Sequence, residues 1–147
     1  MNIEIRSARP RDKARCLELL QALNPSGTQG GGKSAGRAFE ELLTRARGEV
    51  LVASEETRIL GMATVSYNLA MRYGGEYCQL EELIVDSDAR GKNIGALLVQ
   101  KSIDNARSRG CAEFGLYLLE STEHNRPFYA KFGFEAVGTE MRQKLLS

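Results

Sequence analysis

Residues 79–98, QLEELIVDSDARGKNIGALL, constrain the fold more than any other part of the chain. An apolar, strand-like run carries two acids, Glu81 and Glu82, and ends at Val85. Five residues later Arg90-Gly91-Lys92-Asn93-Ile94-Gly95 opens an amphipathic helix. Ala96, Val99, Ile103 and Ala106 share one face of that helix, and Gly110 suits its C-terminal cap. A further strand is read over 114–119. A strand, a helix and a second strand in this order imply a right-handed crossover between two parallel strands.

The remaining elements surround this unit. Ile3 and Ile5 alternate with polar residues in a first strand. Pro10 and Asp12 introduce a helix whose stripe is Cys16, Leu19, Leu20 and Leu23. A second helix carries Ala35, Phe39, Leu42, Leu43 and Ala46 on one face. Residues 50–53 and 59–67 read as two strands joined by the polar turn Glu55-Glu56-Thr57-Arg58, an antiparallel hairpin. A short helix at 125–132 ends at Gly133, and a last strand is expected from Phe134 onward. The fold class is α/β (α+β): a mixed β-sheet with packed helices, forming one domain over all 147 residues.

Composition excludes several classes of function. Net charge is +1, so no broad electrostatic surface for nucleic acid or anionic membrane is expected. No apolar run approaches the roughly 20 residues of a membrane span. The N-terminus lacks the apolar core of a signal peptide, and a cytoplasmic protein is expected. Cys16, Cys78 and Cys111 are odd in number and widely spaced, which fits buried thiols rather than a metal site or disulfide framework.

The segment from 79 to 96 joins two chemistries. A helix N-terminus presents unpaired N–H groups and a partial positive charge, where phosphate binds readily. Gly91 and Gly95 allow close approach. Asn93 stands where a third glycine fits and is among the few residues that tolerate a left-handed backbone. Arg90 and Lys92 add charge. The acids sit in an otherwise apolar strand. Strict alternation points them to opposite faces, and a partly desolvated carboxylate has a raised pKa suited to a general base. Tyr129, in the aromatic cluster from His124 to Phe134, is placed to reach back to the same cleft.

A rival phosphate loop lies upstream. Gly27–Ser34, GTQGGGKS, matches the pattern G-x-x-x-x-G-K-[ST]. A phosphate-cradling loop of that kind follows a buried strand. Here the preceding CLELLQALNPS has a helical period, so a plain Gly-rich loop between two helices is favoured over nucleotide binding.

Together these segments resemble the GNAT superfamily of N-acetyltransferases. LEELIVDSDARGKNIGALL is similar to that family's strand, Arg/Gln-x-x-Gly-x-Gly/Ala loop and helix. FYAKFGF is similar to its Tyr-x-x-x-Gly-Phe segment. There are two departures: Asn93 replaces the first loop glycine, and Thr122 occupies the position of an Asn seven residues before the Tyr, with Asn125 only four before. The resemblance implies a central mixed sheet with helices on both faces and acetyl transfer from acetyl-CoA to an amine acceptor, a small molecule or a protein or peptide. It implies a homodimer; no metal is expected, since the residues show no metal-ligand cluster. An acetyl-CoA-binding sensor without turnover is the alternative from another class.

In the resembling family, the backbone of Leu83, Ile84 and Val85 would meet the pantetheine arm. Arg90, Gly91, Lys92, Asn93, Ile94, Gly95 and Ala96 would hold the pyrophosphate. Tyr129 would lie beside the sulfur, and Glu81 or Glu82 would face the amine. An alkyl ammonium of pKa ~10.4 is only about 0.04% neutral at pH 7, so a base must collect its proton. A thiolate leaving group (~8.5) is a weaker base than tyrosinate (~10), by roughly 2 kcal/mol, so Tyr129 would donate a hydrogen bond rather than its proton. A backbone N–H near Val85 would hold the carbonyl oxygen.

Overall fold

The computed structural model describes residues 2–23 and 32–146. Five strands form one sheet in sequence order: β1 (Ile3–Ser7), β2 (Gly48–Glu55), β3 (Arg58–Ala70), β4 (Gly75–Val85) and β5 (Phe114–Leu116). The first four pair antiparallel and β4 pairs parallel with β5, as the crossover requires. Four helices accompany them: α1 (Lys13–Leu23), α2 (Gly32–Leu42), α3 (Ile94–Arg109) and α4 (Arg126–Ala130).

The sheet has a core on each face, as expected for helices on both sides. On one face Ile94, Leu98 and Ala106 of α3 pack on Leu51, Leu60, Ala63, Val65, Cys78 and Leu80. On the other, Cys16 and Leu19 of α1 and Phe39 of α2 cover Val50, Val52, Ile59, Met62 and Ile84. Each buried Leu or Ile in these layers is worth about 1.5–3 kcal/mol over its exposed state. Burial lifts the Cys16 and Cys78 thiols to about 12, which leaves them protonated and inert. Gly61 lets α3 sit close. A Cβ there would stand 2.8 Å from the Ile84 carbonyl oxygen and 2.9 Å from Ile94 Cγ2. The first turn of α3 is thereby pressed against the ends of β3 and β4.

A buried polar network holds the other end of α3. Glu49, 1% exposed on β2, accepts hydrogen bonds from Tyr67 Oη at 2.7 Å and Asn105 Nδ2 at 3.1 Å. Arg109 stacks on the Tyr67 ring at 3.8 Å and pairs with Glu76. Glu49→Ala strands the Tyr67 and Asn105 donors in the core. A loss of about 3 kcal/mol is expected in denaturant unfolding, and Glu49→Gln should recover part of it.

Two sequence expectations fail. The strand expected from Phe134 does not form: residues 135–146 carry no regular structure, because no edge of their own sheet pairs with them. The strand read over 114–119 stops at Leu116, since β4 offers partners only at Cys78, Gln79 and Leu80.

Candidate active site

β4 pairs with β3 along its whole length but with β5 only through Leu80. Beyond that point one edge of β4 is free, and a slot opens between the two parallel strands. The Cys78 amide donates toward β5, to the Glu113 carbonyl at 2.9 Å. The Asp86 amide donates the other way, to the Leu60 carbonyl of β3 at 2.8 Å. Backbone direction alternates along a strand, so counting back from Asp86 turns the polar groups of Val85 and Leu83 into the slot. Those of Ile84 turn to β3, and its side chain is buried under α1. Of the three residues expected to offer backbone to a ligand, Leu83 and Val85 turn it away from β3 and Ile84 does not.

The loop from Arg90 to Ala96 closes the end of the slot. Asn93 caps α3 with φ 62° and ψ 26°, the left-handed conformation expected of it, and Gly91 has φ 86°. The first amides of α3 therefore point outward from the helix start with no intrahelical partner. A Cβ on Gly95 would lie 3.6 Å from Phe128 Cζ, 3.9 Å from Val85 Cγ2 and 4.0 Å from Leu83 Cδ2. The α3 start, the end of β4 and α4 thus converge on one place. Arg90 is exposed and has no ion pair among the described residues. Lys92 is held by Glu55 at 3.1 Å, so its charge is already engaged at the β2–β3 turn.

The two acids do not point to opposite faces. A one-residue bulge interrupts the β3–β4 ladder: Thr64 pairs with Glu82 and Val65 with Leu80, leaving Glu81 as the extra residue. Cys78 and Leu80 face α3 before the bulge, and Leu83 and Val85 do so after it. The change of parity places both carboxylates on the α1–α2 face. The side-chain partners agree. Thr64 Oγ1 donates to Glu82 and accepts from the Glu82 amide at 3.1 Å, and Ser66 Oγ donates to Glu81 at 2.6 Å. Burial raises the Glu82 pKa, the Thr64 hydrogen bond opposes that shift, and the neighbouring Glu81 charge adds to it. Glu81 is exposed.

Tyr129 is half-buried, packed edge-on to Phe128 at 5.0 Å and to Phe134 at 6.1 Å. Burial raises its pKa, so the phenol keeps its proton, and no group among the described residues hydrogen-bonds its hydroxyl. Thr122 is spent on a local cap, bonding the Leu119 amide at 2.9 Å. Asn125 is half-buried at the start of α4 with no side-chain cap bond.

Thr64 and Ser66 were missed in the sequence reading. Their signal was there: two hydroxyl residues at spacing two in a buried strand share one face. Other candidates fall away. Tyr67 serves the Glu49 network, while Tyr73 and Tyr77 stack with Arg72 at 4.7 and 5.1 Å. His124 is exposed in a 3-10 turn. Gly27 to Gly31 of the rival phosphate loop lie outside the described residues. The element leading into that loop is the helix α1, not the buried strand that such a loop requires. Among the described residues no helix is long and apolar enough to cross a membrane.

The chain is similar to known proteins along most of its length. The model of the acetyltransferase (GNAT) family matches residues 16–134. A protein of Trypanosoma brucei brucei named glucosamine 6-phosphate N-acetyltransferase is 29% identical over 99% of this chain and 97% of its own length. The crystal structure of glucosamine-6-phosphate N-acetyltransferase from Arabidopsis thaliana superposes with a TM-score of 0.80, at 27% identity, over 98% of this chain and 99% of that one. A structure described as a transcriptional regulator from Bacillus halodurans C-125 gives a TM-score of 0.85 at 26% identity, over 98% and 100% of the two chains. A free-edged β4, an α3 start with unpaired amides and a family match across most of the length lead to one conclusion: this chain belongs to the GNAT family and is an N-acetyltransferase.

Proposed function

We propose that the chain moves an acetyl group from acetyl-CoA to the amine of glucosamine 6-phosphate, with Glu82 as the general base. The observation that supports the reading is the bulge, which turns the half-buried, pKa-raised Glu82 carboxylate to the α1–α2 face of β4, the strand that borders the slot. The sugar phosphate is suggested by relatives of that name, at 29–30% identity over 85–99% of this chain.

The pantetheine arm would run along Leu83 and Val85, bonding their backbone groups as an added strand does. The pyrophosphate would lie on the Gly91–Ala96 amides beside Arg90. The nitrogen attacks the thioester carbonyl, the C–N bond forms and the C–S bond breaks. Glu82 first takes one proton from the ammonium, so that the neutral nitrogen attacks; as the intermediate collapses, the second nitrogen proton passes to the departing thiolate, leaving the amide and the coenzyme thiol. Val85 N–H, turned away from β3, would stabilise charge on the carbonyl oxygen. Tyr129, kept protonated by burial, donates a hydrogen bond to the departing sulfur. Glu81, exposed and one residue away, supplies negative charge that draws the ammonium in. The working form is a pair of chains in the cytoplasm.

Thiol release across an amine panel tests the substrate. Glucosamine 6-phosphate should exceed glucosamine by more than tenfold in kcat/KM. Equal rates would remove the phosphate from the recognition. Tight acetyl-CoA binding with no turnover on any amine would leave a sensor in its place.

The acidic limb of the pH–rate profile tests the base. Only ionised Glu82 accepts a proton, so the rate climbs as pH rises through its pKa. Glu81→Gln removes a like charge, lowers that pKa and should move the limb to lower pH. Thr64→Val removes the opposing hydrogen bond and should move it to higher pH, with turnover about tenfold lower as the carboxylate loses its orientation. Limbs that do not move would contradict the assignment.

A further inference from the structure

We propose that the cleft between β1, the start of α1 and the β2–β3 turn is a second ligand site, which takes a small phosphate-bearing molecule apart from the coenzyme and the amine acceptor.

The cleft measures about 700 Å³, and Arg6, Arg9, Arg11, Arg15 and Arg58 line it. Sites for small molecules run from about 300 to 1,000 Å³, so the space suits a whole molecule rather than a single ion. Five of the chain's fourteen arginines meet here, with no lysine among the lining residues. Three acids, Glu4, Asp12 and Glu56, stand against those five arginines. Positive charge is therefore in excess here, although the whole chain carries only +1. The planar fork of arginine meets phosphate oxygens in pairs, which an ammonium cannot do.

These charges are unequally committed. Asp12, 5% exposed, is held by Arg6 at 2.7 Å and by the Arg9 amide at 2.8 Å. Arg15 pairs with Asp86 and donates to the Ile59 carbonyl at 3.0 Å. Arg6 and Arg15 are thus fixed in the walls. Arg58 reaches Asp86 and Asp88 only at 3.6 and 3.7 Å. Arg9 and Arg11 are exposed and make no ion pair among the described residues. These three are left to close on an anion.

The floor adds a donor. Ser54 follows Val50 and Val52 on the α1 face of β2 and stands opposite Glu4 of β1. It is 4% exposed, and its hydroxyl has no hydrogen-bond partner among the described residues. A buried hydroxyl ordinarily finds a partner, and a ligand oxygen in the cleft would supply one.

The site is separate from the acetyl-transfer machinery. About six residues of β3, roughly 20 Å of strand, lie between Arg58 and Thr64, the partner of Glu82. One sugar phosphate cannot hold its amine at Glu82 and its phosphate in this cleft. The start of α3 packs on the opposite face of the sheet.

Calorimetric titration of the full chain with inorganic pyrophosphate, at physiological ionic strength and with desulfo-coenzyme A saturating, tests this. A Kd below about 1 mM is expected. Arg9→Ala combined with Arg11→Ala should weaken binding by about tenfold or more and leave thermal unfolding unchanged, since neither side chain holds a partner. Lys101→Ala combined with Arg107→Ala removes the same charge from the exposed side of α3 and should leave Kd within about twofold. No binding would overturn the proposal. Equal weakening by the two double variants would reduce it to general charge attraction. Binding seen only without desulfo-coenzyme A would move the anion to the coenzyme slot. None of these results reads acetyl transfer, so failure here is distinct from failure of the acetyltransferase mechanism.

Discussion

Replacing Glu82 by Gln should lower kcat by about 10²–10⁴-fold and leave acetyl-CoA affinity within about twofold. The size follows from what the residue is asked to supply. At neutral pH an alkyl ammonium is almost wholly protonated, and only the neutral amine attacks. The substituted amide would keep the shape and the bond from Thr64 but accept no proton. The acidic limb of the pH profile should vanish in the variant, while rates should recover at high pH, where the free amine is abundant. Glu81→Gln should stay within about tenfold of the wild type, its effect seen mainly in KM. The reverse ranking would move the base to Glu81. Steady-state thiol release for both variants across pH separates the two outcomes.

Gly95→Leu should weaken acetyl-CoA binding by about 10–100-fold, or roughly 1.4–2.8 kcal/mol, and overpacking should cost about 1–3 kcal/mol of fold stability. Gly95 lies in the first turn of α3, within about a van der Waals contact of Phe128, Val85 and Leu83 once a Cβ is added. An alanine fits that space. A leucine extends beyond it, among the Phe128, Val85 and Leu83 side chains where α3, β4 and α4 converge, and on the proposed reading it narrows the coenzyme slot there. Gly95→Ala is therefore the control and should bind within about threefold of the wild type. Calorimetric titration with acetyl-CoA, beside thermal unfolding of the same variants, distinguishes a blocked site from a damaged fold.

The parts of the molecule that were legible in its sequence are those whose signals are local. α3 begins at Ile94 and ends at Arg109, as read, because both ends are marked by residues that accept a left-handed backbone, Asn93 and Gly110. The parallel pairing of β4 and β5 followed from the crossover alone. The facing of Glu81 and Glu82 was not legible. A bulge is set by how β4 matches Thr64 and Val65 across the ladder, and nothing within LEELIV records it. Alternation misassigned one face by the single residue that the bulge adds. The spacing of Thr64 and Ser66 puts them on one face, but their pairing with the acids follows only from the bulge. The last strand, expected from Phe134 onward, does not form, because a sequence can mark an extended segment without supplying the sheet edge that pairs with it. Val137, Met141 and Leu145 remain exposed.

The central claim is that the coenzyme lies in the slot between β4 and β5, with its phosphates on the start of α3 and its thioester on the side of Glu82. Mapping backbone amide shifts on titration with desulfo-coenzyme A, a form that cannot transfer acetyl, tests it most directly. The account predicts the largest shifts at Leu83, Val85 and Gly91 to Leu97, smaller ones at Phe128 and Tyr129, and none along β1. Shifts centred on Gly27 to Ser34 with the β4 and α3 amides unmoved would contradict it.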